Sequence, residues 1–126
     1  MQAIQYQKTA KQLILQQDCR FHADLSVIAP EQNNNSLLSI DRRGHLHISE
    51  GFQCRLVRLS PSDVTARASI VYAALCDLMQ QGVIAKDQKA KINEILVRIA
   101  MEDGLQPLLS IPIFWAQHFL GHQDGK

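Results

Sequence analysis

Two periods of hydrophobic residues divide this chain: helical spacing between residues 60 and 104, and alternation between residues 20 and 59. In the helical part Val64, Ala68, Val71, Leu75 and Leu78 fall on one stripe of one helix. Ser60-Pro61-Ser62-Asp63 supplies its start, with a hydroxyl N-cap, a proline at the first helical position and an acid soon after. Gly82 supplies a left-handed stop, against which Val83 and Ile84 can pack. A second helix, about Asp87 to Asp103, carries Ile92, Ile95, Leu96 and Ile99 and stops at Gly104. The short link between the two suits antiparallel packing.

In the alternating part Phe21, Ala23, Leu25, Val27 and Ala29 face one way and His22, Asp24 and Ser26 the other, until Pro30 ends the run. Glu31 to Asn35 is a polar loop. Asp41-Arg42-Arg43-Gly44 fits a type I turn closed by a left-handed glycine, which sets Ile40 opposite Leu46 and Leu38 opposite Ile48. Ser49-Glu50-Gly51 can make a second turn of the same kind. A return strand would then place Ile48 opposite Phe52, Leu46 opposite Cys54, and Arg55 beside His45. Leu38, Ile40, Leu46, Ile48, Phe52, Cys54 and Leu56 would share one buried face, and the helix pair is the apolar surface available to cover it. Near the N-terminus, Thr9-Ala10-Lys11-Gln12 reads as a capping box, followed by Ala10, Leu13, Ile14 and Gln17 at helical spacing. The pattern predicts an α+β fold: an antiparallel β-meander of about four strands, an antiparallel helix pair on one face, and a short N-terminal helix. It forms one domain over residues 1–126, sheet-rich at 20–59, a helical hairpin at 60–104 and an aromatic C-terminal segment at 105–121.

Charge and composition narrow the function. The 126 residues are 46% hydrophobic and 20% charged with a net charge of +1, whereas a nucleic-acid track or a membrane-surface protein needs an excess of cations. Leu13-Ile14-Leu15 is too short for the apolar region of a signal peptide, and no window is long enough to span a membrane. The odd number of cysteines (Cys19, Cys54, Cys76) reads as reduced thiols of a cytoplasmic protein. The sequence has no Gly-x-Ser-x-Gly elbow and no glycine-rich phosphate loop, so it points away from an enzyme and implies no cofactor.

His45-Leu46-His47 places two imidazoles on the same side of a strand, a spacing that lets both rings reach one ion. With Gly44, Glu50 and Gly51 it resembles part of a cupin motif, but the acid follows the second histidine too closely and no second histidine motif appears. Arg55 beside His45 would also oppose a cation, so the pair reads first as a solvated row, Asp41–His45–Arg55 and Ser39–His47–Gln53. Cys19, His22, Cys54, His118 and His122 can be assembled into a zinc set on paper, without the paired spacing such sites use. Arg20, Arg42, Arg43, Arg55 and Arg58 sit in the sheet half, but Phe21 and Phe52 are committed to the core and not to base stacking.

The C-terminal stretch carries Ile113, Phe114, Trp115 and Phe119, residue types enriched at binding hot spots, although such residues also close the cores of small proteins. The leading expectation is a small non-catalytic protein-interaction module: an adaptor, secretion-type chaperone, inhibitor or regulatory subunit. It would bind another protein or a second copy of itself through that segment and the helix pair. The alternative is a metal- or small-ligand-binding protein using His45 and His47; a nucleic-acid binder on the arginine-bearing face ranks third.

Overall fold

Residues 13–22 and 45–54 build one long antiparallel ribbon with a break in its middle, and the Asp41–Gly44 turn adds a further strand along one half of it. The computed structural model of the chain describes residues 5–8, 12–30, 37–55 and 65–104. Within them lie six strands: β1 (Tyr6–Lys8), β2 (Leu13–Leu15), β3 (Cys19–His22), β4 (Leu38–Ile40), β5 (His45–Ile48) and β6 (Gln53–Cys54). Two helices follow, α1 (Ala66–Gln80) and α2 (Lys89–Glu102), linked through a single 3-10 turn at Lys86–Gln88. The strands form two antiparallel three-stranded sheets, ordered β1-β2-β6 and β3-β5-β4, so the fold is α+β.

The first hairpin has the expected register, with Ile40 opposite Leu46 and Leu38 opposite Ile48. The rest of the sheet differs from a single meander. Ser49-Glu50-Gly51 does turn, with Gly51 at φ +95° and the Phe52 N–H donating to the Ser49 carbonyl at 3.2 Å. It does not return the chain along β5. β6 runs on to β2 instead, with Leu13 opposite Cys54, while β5 pairs on its other edge with β3, Cys19 opposite Ile48 and His22 opposite His45. Residues 13–22 and 45–54 therefore keep one register through both sheets, interrupted at 16–18 and 49–51. The interruption is itself hydrogen-bonded: Leu15 N–H donates to the Phe52 carbonyl at 2.9 Å and Gly51 N–H to the Leu15 carbonyl at 2.8 Å.

The expected N-terminal helix is replaced by the hairpin β1–β2, with Tyr6 opposite Leu15 and Lys8 opposite Leu13. Leu13-Ile14-Leu15 fits either period on its own. As the central strand of a sheet it buries Leu13 and Leu15 completely on one face while both its edges are paired, a gain no isolated turn of helix supplies. Tertiary pairing decides the period of Leu13–Leu15; Thr9 to Lys11 of the expected capping box lie outside the described residues.

The helices follow their stripes. Ala68, Val71, Leu75 and Leu78 of α1 and Ile92, Ile95, Leu96 and Ile99 of α2 are all buried. Gly82, at φ +84°, closes α1 as a Schellman motif: Val83 N–H donates to the Leu78 carbonyl (3.0 Å) and Gly82 N–H to the Met79 carbonyl (3.1 Å). α1 is buried nearly all round over its first turns, including Arg67 and Ser69, as a helix enclosed by other elements must be. Two polar clamps hold the antiparallel pair. Arg67 grips Asp103 through Nε (3.0 Å) and Nη2 (2.9 Å) and reaches Glu102 at 3.2 Å. Nearer the other end Lys89 Nζ donates to the Tyr72 hydroxyl at 2.8 Å. Leu38, Ile40, Leu46 and Ile48 of one sheet and Leu13 and Leu15 of the other join the same hydrophobic cluster as both helices. The start signal at Ser60–Asp63 lies outside the described residues.

Gly44 and Gly51 both need positive φ, but only Gly44 lies against other backbone. A Cβ at Gly44 would overlap the Ala23 carbonyl oxygen, whereas one at Gly51 would meet open space. Gly51→Ala should therefore cost about 1 kcal/mol of stability, and Gly44→Ala about 3 kcal/mol or more. Urea titration of the two variants checks this; equal losses would contradict the close approach of β3 to the turn.

Candidate functional site

Period-two alternation turns one face of the β3-β5-β4 sheet into the core and leaves the other to water. Phe21, Leu38, Ile40, Leu46 and Ile48 point inward, while Arg20, His22, Ser39 and His45 lie on the outer side, with His47 half-buried among them. The outer side forms a shallow, open depression of about 620 Å³ lined by Arg20, Phe21, His22, Ser39, Asp41, His45, Leu46 and His47. His45 and His47 thus share a face, as expected. Arg55 is not beside His45; His22 is, and their ring centroids are 4.9 Å apart with planes tilted by 46°. Arg20 faces His47 two residue pairs further along.

Each ring is held by one nitrogen. His22 Nε2 lies 2.8 Å from the Arg43 carbonyl, His45 Nδ1 3.2 Å from Asp41 Oδ2, and His47 Nε2 3.2 Å from Asp18 Oδ2. A carbonyl or carboxylate only accepts, so in a neutral ring the held nitrogen carries the hydrogen. The lone pair then falls on the other: Nδ1 of His22, Nε2 of His45 and Nδ1 of His47.

The two carboxylates are anchored in turn by backbone. Asp41 Oδ1 accepts from the Arg43 N–H (2.9 Å) and the His45 N–H (3.0 Å), the side-chain closure of a type I turn. Asp18 Oδ1 accepts from the Glu50 N–H at 2.8 Å and so ties the two sides of the ribbon across its break. Both carboxyls sit below their ordinary value of 3.8, Asp41 chiefly through the His45 N–H and Asp18 chiefly through the Glu50 N–H, with the histidine contacts adding to each.

Sequence reasoning placed His22 on the polar side of its strand but missed its neighbour, because alternation fixes a face and leaves the pairing partner open. The joint outward parity of His22 and His45, with Phe21 and Leu46 inward, was the available signal. It also missed the structural role of Asp18, which depends on a contact 32 positions away. The thiols Cys19 and Cys54 do not join the histidines: both sit on the inner side, and burial pushes Cys54 up to about 11 and Cys19 in the same direction. Among the described residues no group of three or more His, Cys, Asp or Glu side chains is arranged to hold a metal ion. Ile113, Phe114, Trp115 and Phe119 lie outside the described residues. No described helix is long and apolar enough to cross a membrane. Comparison with family models, with curated proteins and with solved structures gives no match to this chain.

The depressed carboxyls make stability fall in acid. Their contribution is fully present above 3.8 and is lost as pH drops through the lower values they hold in the folded chain, because the unfolded chain then binds more protons. Asp18→Asn and Asp41→Asn should each lower the melting temperature at neutral pH and flatten its decline below about pH 4. Melting curves taken across that range check this; an acid limb identical to the parent's in both variants would contradict the anchoring role.

Proposed function

We propose that this chain is a small non-catalytic interaction module working in the cytoplasm, and that the outer face of the β3-β5-β4 sheet is part of its recognition surface. The observation that carries this reading is the form of the face. It is open, and each of its three imidazoles is held in place, His22 by the Arg43 carbonyl and His45 and His47 by the carboxylates of Asp41 and Asp18, which backbone N–H groups anchor in turn. A shallow polar surface suits an extended segment of a macromolecule, whereas small-molecule sites enclose most of their ligand. These rings are held before anything binds, which lowers the entropic cost of association.

The partner is another protein, presenting carboxylates to Arg20 and the neighbouring exposed Arg43. A nucleic acid would use the same cations but also needs aromatic platforms, and Phe21 and Phe52 pack into the core. The proposal gives the helix pair the smaller part, since α1 buries most of its surface. The C-terminal residues Ile113, Phe114, Trp115 and Phe119 supply the apolar anchor of this proposal, with Trp115 at its centre.

Affinity capture with the parent chain, Arg20→Glu and Trp115→Ala tests it. The proposal expects a protein that co-purifies with the parent, survives nuclease treatment, and is lost or reduced about tenfold or more in both variants. A captured species removed by nuclease, or a protein partner indifferent to both substitutions, would contradict it.

A further inference from the structure

The structure changes the case for a metal on this sheet. With Arg55 beside His45 a cation would be repelled; the pairing of β3 with β5 puts a second imidazole there instead. We infer that His22 and His45 form a surface site for an imidazole-seeking divalent transition ion of the zinc type.

Three observations carry the inference. The first is separation. A zinc–nitrogen bond is about 2.0–2.1 Å and the ring centre lies about 1.1 Å behind the nitrogen, so two rings sharing one ion at 90–110° have centroids roughly 4.5–5.2 Å apart. The pair here stands at 4.9 Å. The second is tautomer. In their neutral forms His22 and His45 each give one N–H to a fixed acceptor, the Arg43 carbonyl and the Asp41 carboxylate, and leave the lone pair on the other nitrogen. Metal-binding histidines are commonly held in this way, with a carboxylate or carbonyl behind the ring raising its basicity. The third is charge. Asp41 lies behind His45, while Arg20, the guanidinium on β3, is directly opposite His47 and two residue pairs along from the two rings. That selects His22 with His45 over the same-strand pair His45 and His47. Two protein ligands leave the remaining positions of the ion to water. The side chain of His45 is 60% exposed, so the ion has an open approach.

The test uses the full chain carrying His118→Ala and His122→Ala, so that the sheet provides its only histidines. Zinc chloride is titrated by calorimetry and by thermal melting, with magnesium chloride as the control. The expected result is one equivalent of zinc, a melting temperature that rises with zinc and not with magnesium, and about a tenfold or greater loss of affinity in His22→Gln and in His45→Gln. His47→Gln should bind as the parent does. In the unsubstituted sheet the ring signals of His22 and His45 should move together in nuclear magnetic resonance spectra as zinc is added, which decides the matter even if a variant folds poorly. Absence of saturable zinc binding, binding undiminished in His22→Gln, or an equal loss in His47→Gln would each overturn the assignment.

Discussion

The turn at Asp41–Gly44 and the strand that lies against it set the register on which the rest of the sheet depends. Asp41 binds three groups of the turn, and Gly44 accepts a backbone bond from Ala23 at 2.8 Å while lying too close to it to carry a side chain. The turn is therefore closed within itself and pinned to the end of β3. From that point pairing proceeds without slippage: His22 meets His45, Cys19 meets Ile48 and, past the break, Leu13 meets Cys54. A slip of one residue would exchange the faces and bring His45 and His47 inward in place of Leu46 and Ile48. One local constraint thus fixes both the core side and the polar side.

The break in the ribbon explains why two small sheets, rather than one larger one, line the same core. Asp18 supports it from outside by holding Glu50 and His47, and the Leu15–Phe52 and Gly51–Leu15 backbone bonds support it from within. Both sheets then send their apolar side chains into the cluster that surrounds α1. Enclosure of α1 brings Arg67 into surroundings where a lone guanidinium would be costly, and Asp103 and Glu102 at the end of α2 compensate it. The same ion pairs fix how the two helices align.

Much of this was legible in the sequence wherever one residue's neighbours are close along the chain. The stripes of both helices, the glycine stop at Gly82, the Asp41–Gly44 turn and the alternation from Phe21 to Val27 all rest on contacts within a few residues. What could not be read were the choices between distant partners. Ser49–Gly51 has the composition of a hairpin turn whether β6 returns to β5 or crosses to β2, and Leu13–Leu15 fits a helix until β1 and β6 offer it two edges. The candidate site shows the same division. His45 and His47 were visible as a pair, but the ring that faces His45 comes from a strand 23 positions earlier. The role of Arg67 shows only in the packing of α2, whose Glu102 and Asp103 lie 35 and 36 positions away.

The central claim is that β5 lies between β4 and β3, with His22 rather than Arg55 across from His45. Cross-strand nuclear Overhauser effects measure that arrangement directly. The account predicts backbone contacts linking Phe21 with Leu46 and His22 with His45, together with Leu13 to Cys54 beyond the break. Contacts linking His45 with Arg55 and Leu46 with Cys54, in place of those to β3, would contradict it.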